Sequence, residues 1–285
     1  MSKTGIKRTS QFVLRLTALM LVLLLLVSCG SGIPSGEGKP ADSGKPNETT
    51  QPNETTQTND QKDPEPNVPG QGSANTAAES FGAYVEAKTE VLATLSDALA
   101  NNPGTELDTM SLLGVMMVDM ALLPATSFGL GKEVATATLG ILGAADVEYS
   151  EKGNEYSIKY KGNEGEKYEV TGEFDPKVNA LKTAAIIDGK ETLVSEYRQT
   201  SFGYVSQVYT INDDGKASVY HLAISGKNGM VGISEATSAP AGLSGNEAID
   251  FPKESKEWYA IDGDQFTGVT SDGRELSFKY TPSDD

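Results

Sequence analysis

The feature that most constrains this chain is a change of hydrophobic period at Asp146. Downstream, apolar residues alternate with polar ones. Tyr156, Ile158 and Tyr160 alternate with Ser157 and Lys159; Tyr168, Val170 and Phe174 alternate with Lys167, Glu169 and Glu173. Tyr220, Leu222 and Ile224 share one face, as do Leu276, Phe278 and Tyr280. Alternation of this kind buries one face of a strand and wets the other, which marks antiparallel pairing. Turn-forming residues separate the runs: Lys152-Gly153-Asn154, Gly162-Asn163-Glu164-Gly165, Asp175-Pro176, Asp188-Gly189, Asp213-Asp214-Gly215, Lys227-Asn228-Gly229, Asp262-Gly263-Asp264 and Asp272-Gly273. The pattern predicts about ten or eleven strands. Ser234 to Lys256 is rich in Ala, Ser, Gly and Pro and reads as a long loop.

Upstream the period is helical. Phe81, Tyr84, Val85, Lys88, Val91, Leu92, Leu95 and Leu99 form a stripe interrupted only by Lys88, and Asn101-Asn102-Pro103-Gly104 stops it. Met110 to Leu123 is apolar nearly all round, holds four of the seven methionines and ends at Pro124. A helix apolar on every side is expected to be buried. A weaker helix is expected from Lys132 to about Leu142. The fold class that follows is α+β: N-terminal apolar helices, residues 76–145, packed against a long, curved antiparallel β-meander, residues 146–285, in one domain. A sheet of that length curls because its strands twist, and the curl would wrap the Met-rich helix. In element order this resembles the LolA/LppX-like lipoprotein carriers, in which a half-barrel cups helices over a hydrophobic cavity. That resemblance implies a lipid or other hydrophobic ligand, with Met110, Leu113, Met116, Met117 and Met120 as candidate lining. Methionine is suited to such a surface because it is unbranched and deformable.

Residues 1–75 contain no such pattern. Lys3, Lys7, Arg8 and Arg15 precede the apolar run Leu16 to Val27, as in an export signal. As a helix that run spans roughly 18 Å, against about 30 Å for a bilayer core, so a permanent membrane span is not expected. The only cysteine, Cys29, follows at once. Leu26-Val27-Ser28-Cys29 resembles the lipobox of bacterial lipoproteins, position for position. The resemblance implies cleavage between Ser28 and Cys29 and a diacylglyceryl group on the Cys29 sulfur, two acyl chains being what stable anchoring needs. The partner implied is a cell membrane on its extracytoplasmic side, the outer one where there are two. Residues 1–28 are then signal peptide and 29–75 a tether, which contains PNETTQ twice in tandem at 46–51 and 52–57. Such a segment buries too little apolar area to offset its ordering entropy.

Charge narrows the partners. Without residues 1–28, 19 Lys and Arg face 40 Asp and Glu, a net charge of −21. A surface so acidic repels phosphate backbones, so no nucleic-acid partner is expected. Catalytic and cofactor motifs fail when tested. Gly242-Leu243-Ser244-Gly245-Asn246 lacks the last glycine of a nucleophile elbow, and no P-loop, G-x-G-x-x-G or S-x-x-K occurs. His221 is the single histidine, so no His/Cys zinc site can be built; its strand position puts it opposite Tyr220 and Leu222, as a surface or loosely packed residue. The acidic turns Asp213-Asp214-Gly215 and Asp262-Gly263-Asp264 offer oxygens to calcium but fit turn chemistry better. No cofactor or metal is expected. The reading is a non-enzymatic, lipid-anchored envelope protein with a binding or structural role, with a hydrophobic-ligand carrier and an envelope-polymer hydrolase as alternatives.

Overall fold

The computed structural model describes residues 76–105, 107–212 and 215–282. The expected signal peptide with Ser28, Cys29 and the expected tether, and the Asp213-Asp214 pair, lie outside the described residues. The described chain has three α-helices, α1 (Ala77–Ala100), α2 (Thr109–Ala121) and α3 (Lys132–Gly140), with a 3-10 turn, Leu123–Ser127, after α2. Eleven strands follow: β1 (Ala145–Lys152), β2 (Glu155–Lys161), β3 (Lys167–Asp175), β4 (Ala180–Ile187), β5 (Lys190–Thr200) and β6 (Gly203–Ile211), then β7 (Ala217–Ser225), β8 (Asn228–Ala236), β9 (Glu257–Asp262), β10 (Gln265–Val269) and β11 (Glu275–Lys279). They form one open sheet in sequence order, every neighbouring pair antiparallel. This is the expected α+β meander.

Local chemistry sets the helix ends. Thr76 and Glu79 form a reciprocal capping box at the start of α1: the Glu79 N–H donates to Thr76 Oγ1 (3.1 Å) and the Thr76 N–H to Glu79 Oε2 (3.2 Å). At the far end Asn101 Nδ2 donates to the Asp97 carbonyl (3.0 Å), and the buried Thr105 hydroxyl donates to that of Leu99 (2.6 Å). These side chains add second donors to carbonyls that already accept the Asn101 and Asn102 N–H groups.

Helix α1 runs across the strands. Ser80 Oγ meets the Tyr197 hydroxyl on β5 (2.6 Å), and the Tyr84 hydroxyl donates to Ser206 Oγ on β6 (2.8 Å). Further along, Val91 packs on Gly229 of β8, and Asp97 accepts from the Tyr280 hydroxyl just past β11 (2.7 Å). Ser80 to Val91 rises roughly 16 Å, and β5 to β8 is about 14 Å. Each helical turn therefore meets the next strand. The rows that face α1 are the apolar rows of the alternation: Tyr156, Ile158, Val170, Phe174, Leu181, Tyr197, Leu222, Val231, Tyr259 and Phe266 are all buried. At Gly172 a side chain is excluded, since an added Cβ would lie 2.3 Å from the Phe128 ring that stacks on Tyr156.

Two expectations need correction. The strands were to have one wet face, yet Val194, Val205, Val219 and Ala223, which point away from α1, are buried too. The reason is the stretch 237–256, which contains a 3-10 turn, Phe251–Glu254, and crosses the outer face of β5–β9. The Met-rich helix was to be buried on all sides. In fact α2 is an outer layer: Leu112, Val115 and Val118 are buried, whereas Met110 (64% exposed), Leu113 (47%) and Met117 (39%) face outward, with Met116 and Met120 half-buried. A helix lying on α1 and on Tyr220 of β7, which abuts Gly114, has only one side to cover.

Candidate functional site

Three places carry chemistry beyond ordinary packing. The first is a polar centre under α1. Tyr84 and Tyr197 stack with ring centroids 4.2 Å apart, and Tyr204 meets both edge-on at 5.8 and 6.1 Å. Burial pushes the Tyr84 and Tyr197 hydroxyls well above the ordinary tyrosine range. One turn beyond Tyr84, Lys88 is 1% exposed and pairs with Asp119 of α2, its ammonium 5.5 Å from the Tyr84 ring centre. Desolvation lowers the Lys88 pKa and raises that of Asp119, while their mutual attraction opposes both shifts. This pair was not singled out from sequence, although a signal existed. Lys88 was the one break in the α1 stripe and Asp119 the one charge in the apolar run; two charges stranded in apolar helices are natural partners.

The second place is the outer face under residues 237–256. Glu196, Gln207, His221, Gly232 and Trp258 form one cross-strand row over β5–β9. The covering segment follows this row. The Leu243 N–H donates to Glu196 Oε2 (3.1 Å), Arg198 Nη1 donates to the Leu243 carbonyl (3.2 Å), and Gln207 Nε2 donates to the Ala241 carbonyl (2.8 Å). His221 Nε2 is 3.0 Å from Gln207 Oε1, and its ring packs on Phe251 at 5.2 Å. Lys253 sits over the Trp258 ring at 5.2 Å. His221 thus lies opposite Tyr220 and Leu222, as the alternation required, but it is half-buried beneath a strap. Burial lowers its pKa, with Glu254 pulling the other way. Ser244, in the stretch tested as a nucleophile elbow, bonds to Glu247 Oε1 (2.8 Å). Glu247 also accepts the Ser244 and Gly245 N–H groups, which together hold its pKa down. That is a turn-bracing role, and the lowered pKa makes Glu247 a weak base towards the hydroxyl it accepts from.

The third place is the outward stripe of α2. Met110, Leu113 and Met117 lie on it, preceded by Leu107, 80% exposed. None of the five candidate lining residues borders either of two open clefts in the domain. One, of about 610 Å³, is walled by charged residues of β1–β3, including Lys159–Glu169 (3.5 Å) and Lys161–Asp146 (2.6 Å) pairs. The Lys161 ammonium holds the Asp146 carboxyl below its usual range. The other, of about 480 Å³, lies along Asn246–Glu254.

Among the described residues, no group of three or more His, Cys, Asp or Glu side chains is placed to hold a metal. In the Asp262-Gly263-Asp264 turn, Asp262 accepts from Asn228 Nδ2 (3.1 Å) and Asp264 from Lys279 (3.0 Å). Among the same residues no helix is long and apolar enough to cross a membrane. No family model, no curated protein and no solved structure matches this chain.

Proposed function

We propose that this is a lipid-anchored protein of a bacterial envelope, with a binding or structural role and no catalysis. The observation that carries the reading is Leu26-Val27-Ser28-Cys29 at the end of an apolar export run. The tandem PNETTQ repeat supports it, and the chain contains no P-loop, G-x-G-x-x-G, S-x-x-K or complete nucleophile elbow. The finer architecture belongs to the same reading: a sheet that curls with its twist, so that strands from β5 to β11 can all reach α1. Mass spectrometry of protein extracted from membranes tests the anchor. The expected N-terminal peptide begins at Cys29 and carries a diacylglyceryl group; an unmodified Cys29 removes the proposal.

A second reading, a hydrophobic-ligand carrier, draws on one observation: α2 keeps Met110, Leu113 and Met117 in solvent although all three are apolar. The ligand would then lie on the outer side of α2, since the inward Leu112, Val115 and Val118 are packed. Nile red fluorescence checks it. Enhancement by the full chain, lost on Met110→Ser with Met117→Ser, is expected; no enhancement ends it. The hydrolase alternative gains no support, because it needs a carboxyl kept protonated in a cleft. Asp119, the acid raised by burial, is taken by Lys88, and cleft-lining Asp146 is shifted the opposite way.

A further inference from the structure

Lys88 and Asp119 join two helices that the chain has few other means to lock together. With one cysteine in the whole sequence, no intramolecular disulfide is available. A lysine ammonium has three donors, yet among the described residues Asp119 is the only hydrogen-bond partner of Lys88. The rest of its surroundings is the Tyr84 ring and apolar packing, with 1% of the side chain exposed. A buried ammonium with unused donors is a costly arrangement, and so is the carboxylate beside it. One covalent state between the same two side chains leaves a single N–H donor and no charge.

We propose that Lys88 and Asp119 form an intramolecular amide, Lys88 Nζ bonded to Asp119 Cγ, that staples α1 to α2. The amine lone pair attacks the carboxyl carbon, the C–OH bond breaks, and the hydroxyl leaves as water with one proton from the nitrogen. Atoms and charge balance within the pair, and no oxidant or further reactant is required. The neutral amine and neutral acid are the reacting forms. Burial moves both groups towards them, lowering the lysine and raising the aspartate. The nucleophile is shut off from solvent, with 1% of the Lys88 side chain exposed, while 22% of the Asp119 side chain is exposed and gives the released water a way out. The structure also lowers the entropic barrier to meeting, since the packing of α1 on α2 holds the nucleophile against the Asp119 carboxylate. The staple does not depend on the anchor reading: it concerns residues 88 and 119 alone, whether or not Cys29 is acylated.

Peptide mapping of the full chain, purified without heating, tests it. The expected product of digestion after glutamates is a branched peptide in which fragment 87–90 is joined to fragment 107–133 through Lys88 and Asp119, lighter than their sum by one water; trypsin, which has no site between Lys88 and Lys132, should leave 63–132 as one internally bonded peptide uncut after Lys88. Intact mass is insufficient, because succinimide at Asp188-Gly189, Asp262-Gly263 or Asp272-Gly273 loses the same water. Lys88→Arg keeps the charge pair but blocks the bond, so its α1 and α2 fragments should be recovered separately. Recovery of unmodified linear peptides containing Lys88 and Asp119 from the wild-type chain overturns the proposal.

Discussion

The two faces of the central strands are covered by different physics. On one side α1 and the 3-10 turn after α2 bury aromatic and aliphatic side chains, and hydroxyl pairs such as Tyr84–Ser206 sit inside that apolar layer. On the other, a segment whose one regular element is the Phe251–Glu254 3-10 turn is laced to β5 and β6 by hydrogen bonds with Glu196, Arg198 and Gln207, with Phe251 on His221 of β7 as its apolar clasp. Burial of large side chains contributes about 1.5–3 kcal/mol each, whereas a net hydrogen bond contributes about 0.5–1.5 kcal/mol. The inner layer should therefore define global stability, and the strap should open locally before the domain unfolds.

Substitutions can break that contrast. The largest loss is expected for Tyr84→Ala, which deletes a buried stacked ring and strands Ser206: about 3–5 kcal/mol by denaturant unfolding. Gly232→Ala attacks the outer layer. Its added Cβ would lie 2.2 Å from the Pro252 carbonyl, so the strap must lift, at about 1–3 kcal/mol. Hydrogen exchange should show lost protection at 237–256 and little change in α1; equal loss in both would mean that the layers are one cooperative unit. Gln207→Ala, which removes the link to Ala241 and the partner of His221, should cost about 1 kcal/mol with the same local signature.

His221 sharpens the comparison through pH. Its folded pKa lies below the ordinary value of 6.5 because burial disfavours the charged ring, so the unfolded state binds the proton more readily. Its contribution is fully present above 6.5 and is lost as pH falls through the lowered value. The groups facing it are Gln207 beside it and Glu254 on the strap. Strap protection should fall on acidification, and His221→Gln should flatten that dependence; an unchanged profile in the variant would assign it to other groups. The smallest effect is expected for Met110→Ser, within about 0.5 kcal/mol, since that side chain faces solvent.

The same contrast explains what could be read from sequence. The period-two rows and the α1 stripe were legible because apolar burial leaves a repeating signature, and the residues named for them, Ile158, Val170, Leu222 and Leu95 among them, are core. The strap, by contrast, shows in the sequence only as a loop. Its attachments are carbonyls and N–H groups meeting side chains from distant strands, and no periodicity encodes them. The outward side of α2 was misread for a related reason: Met110 and Leu113 are as apolar as Leu112 and Val115, and only position in the assembled domain separates the two pairs. The Lys88–Asp119 pair lay half-visible, as two interruptions whose shared cause needed the three-dimensional arrangement.

The path of α1 has a consequence for how the domain is made. Strand pairs join neighbours in sequence and can zip as each hairpin emerges, but the helix that precedes them has its contacts far ahead: Ser80 waits for Tyr197, and Asp97 for Tyr280, a separation of 183 residues. Loop closure over such distances is slow. During synthesis the first helix must remain without its sheet until nearly the whole meander has arrived. Its Phe81–Leu99 stripe is then the stretch a holding chaperone would have to shield.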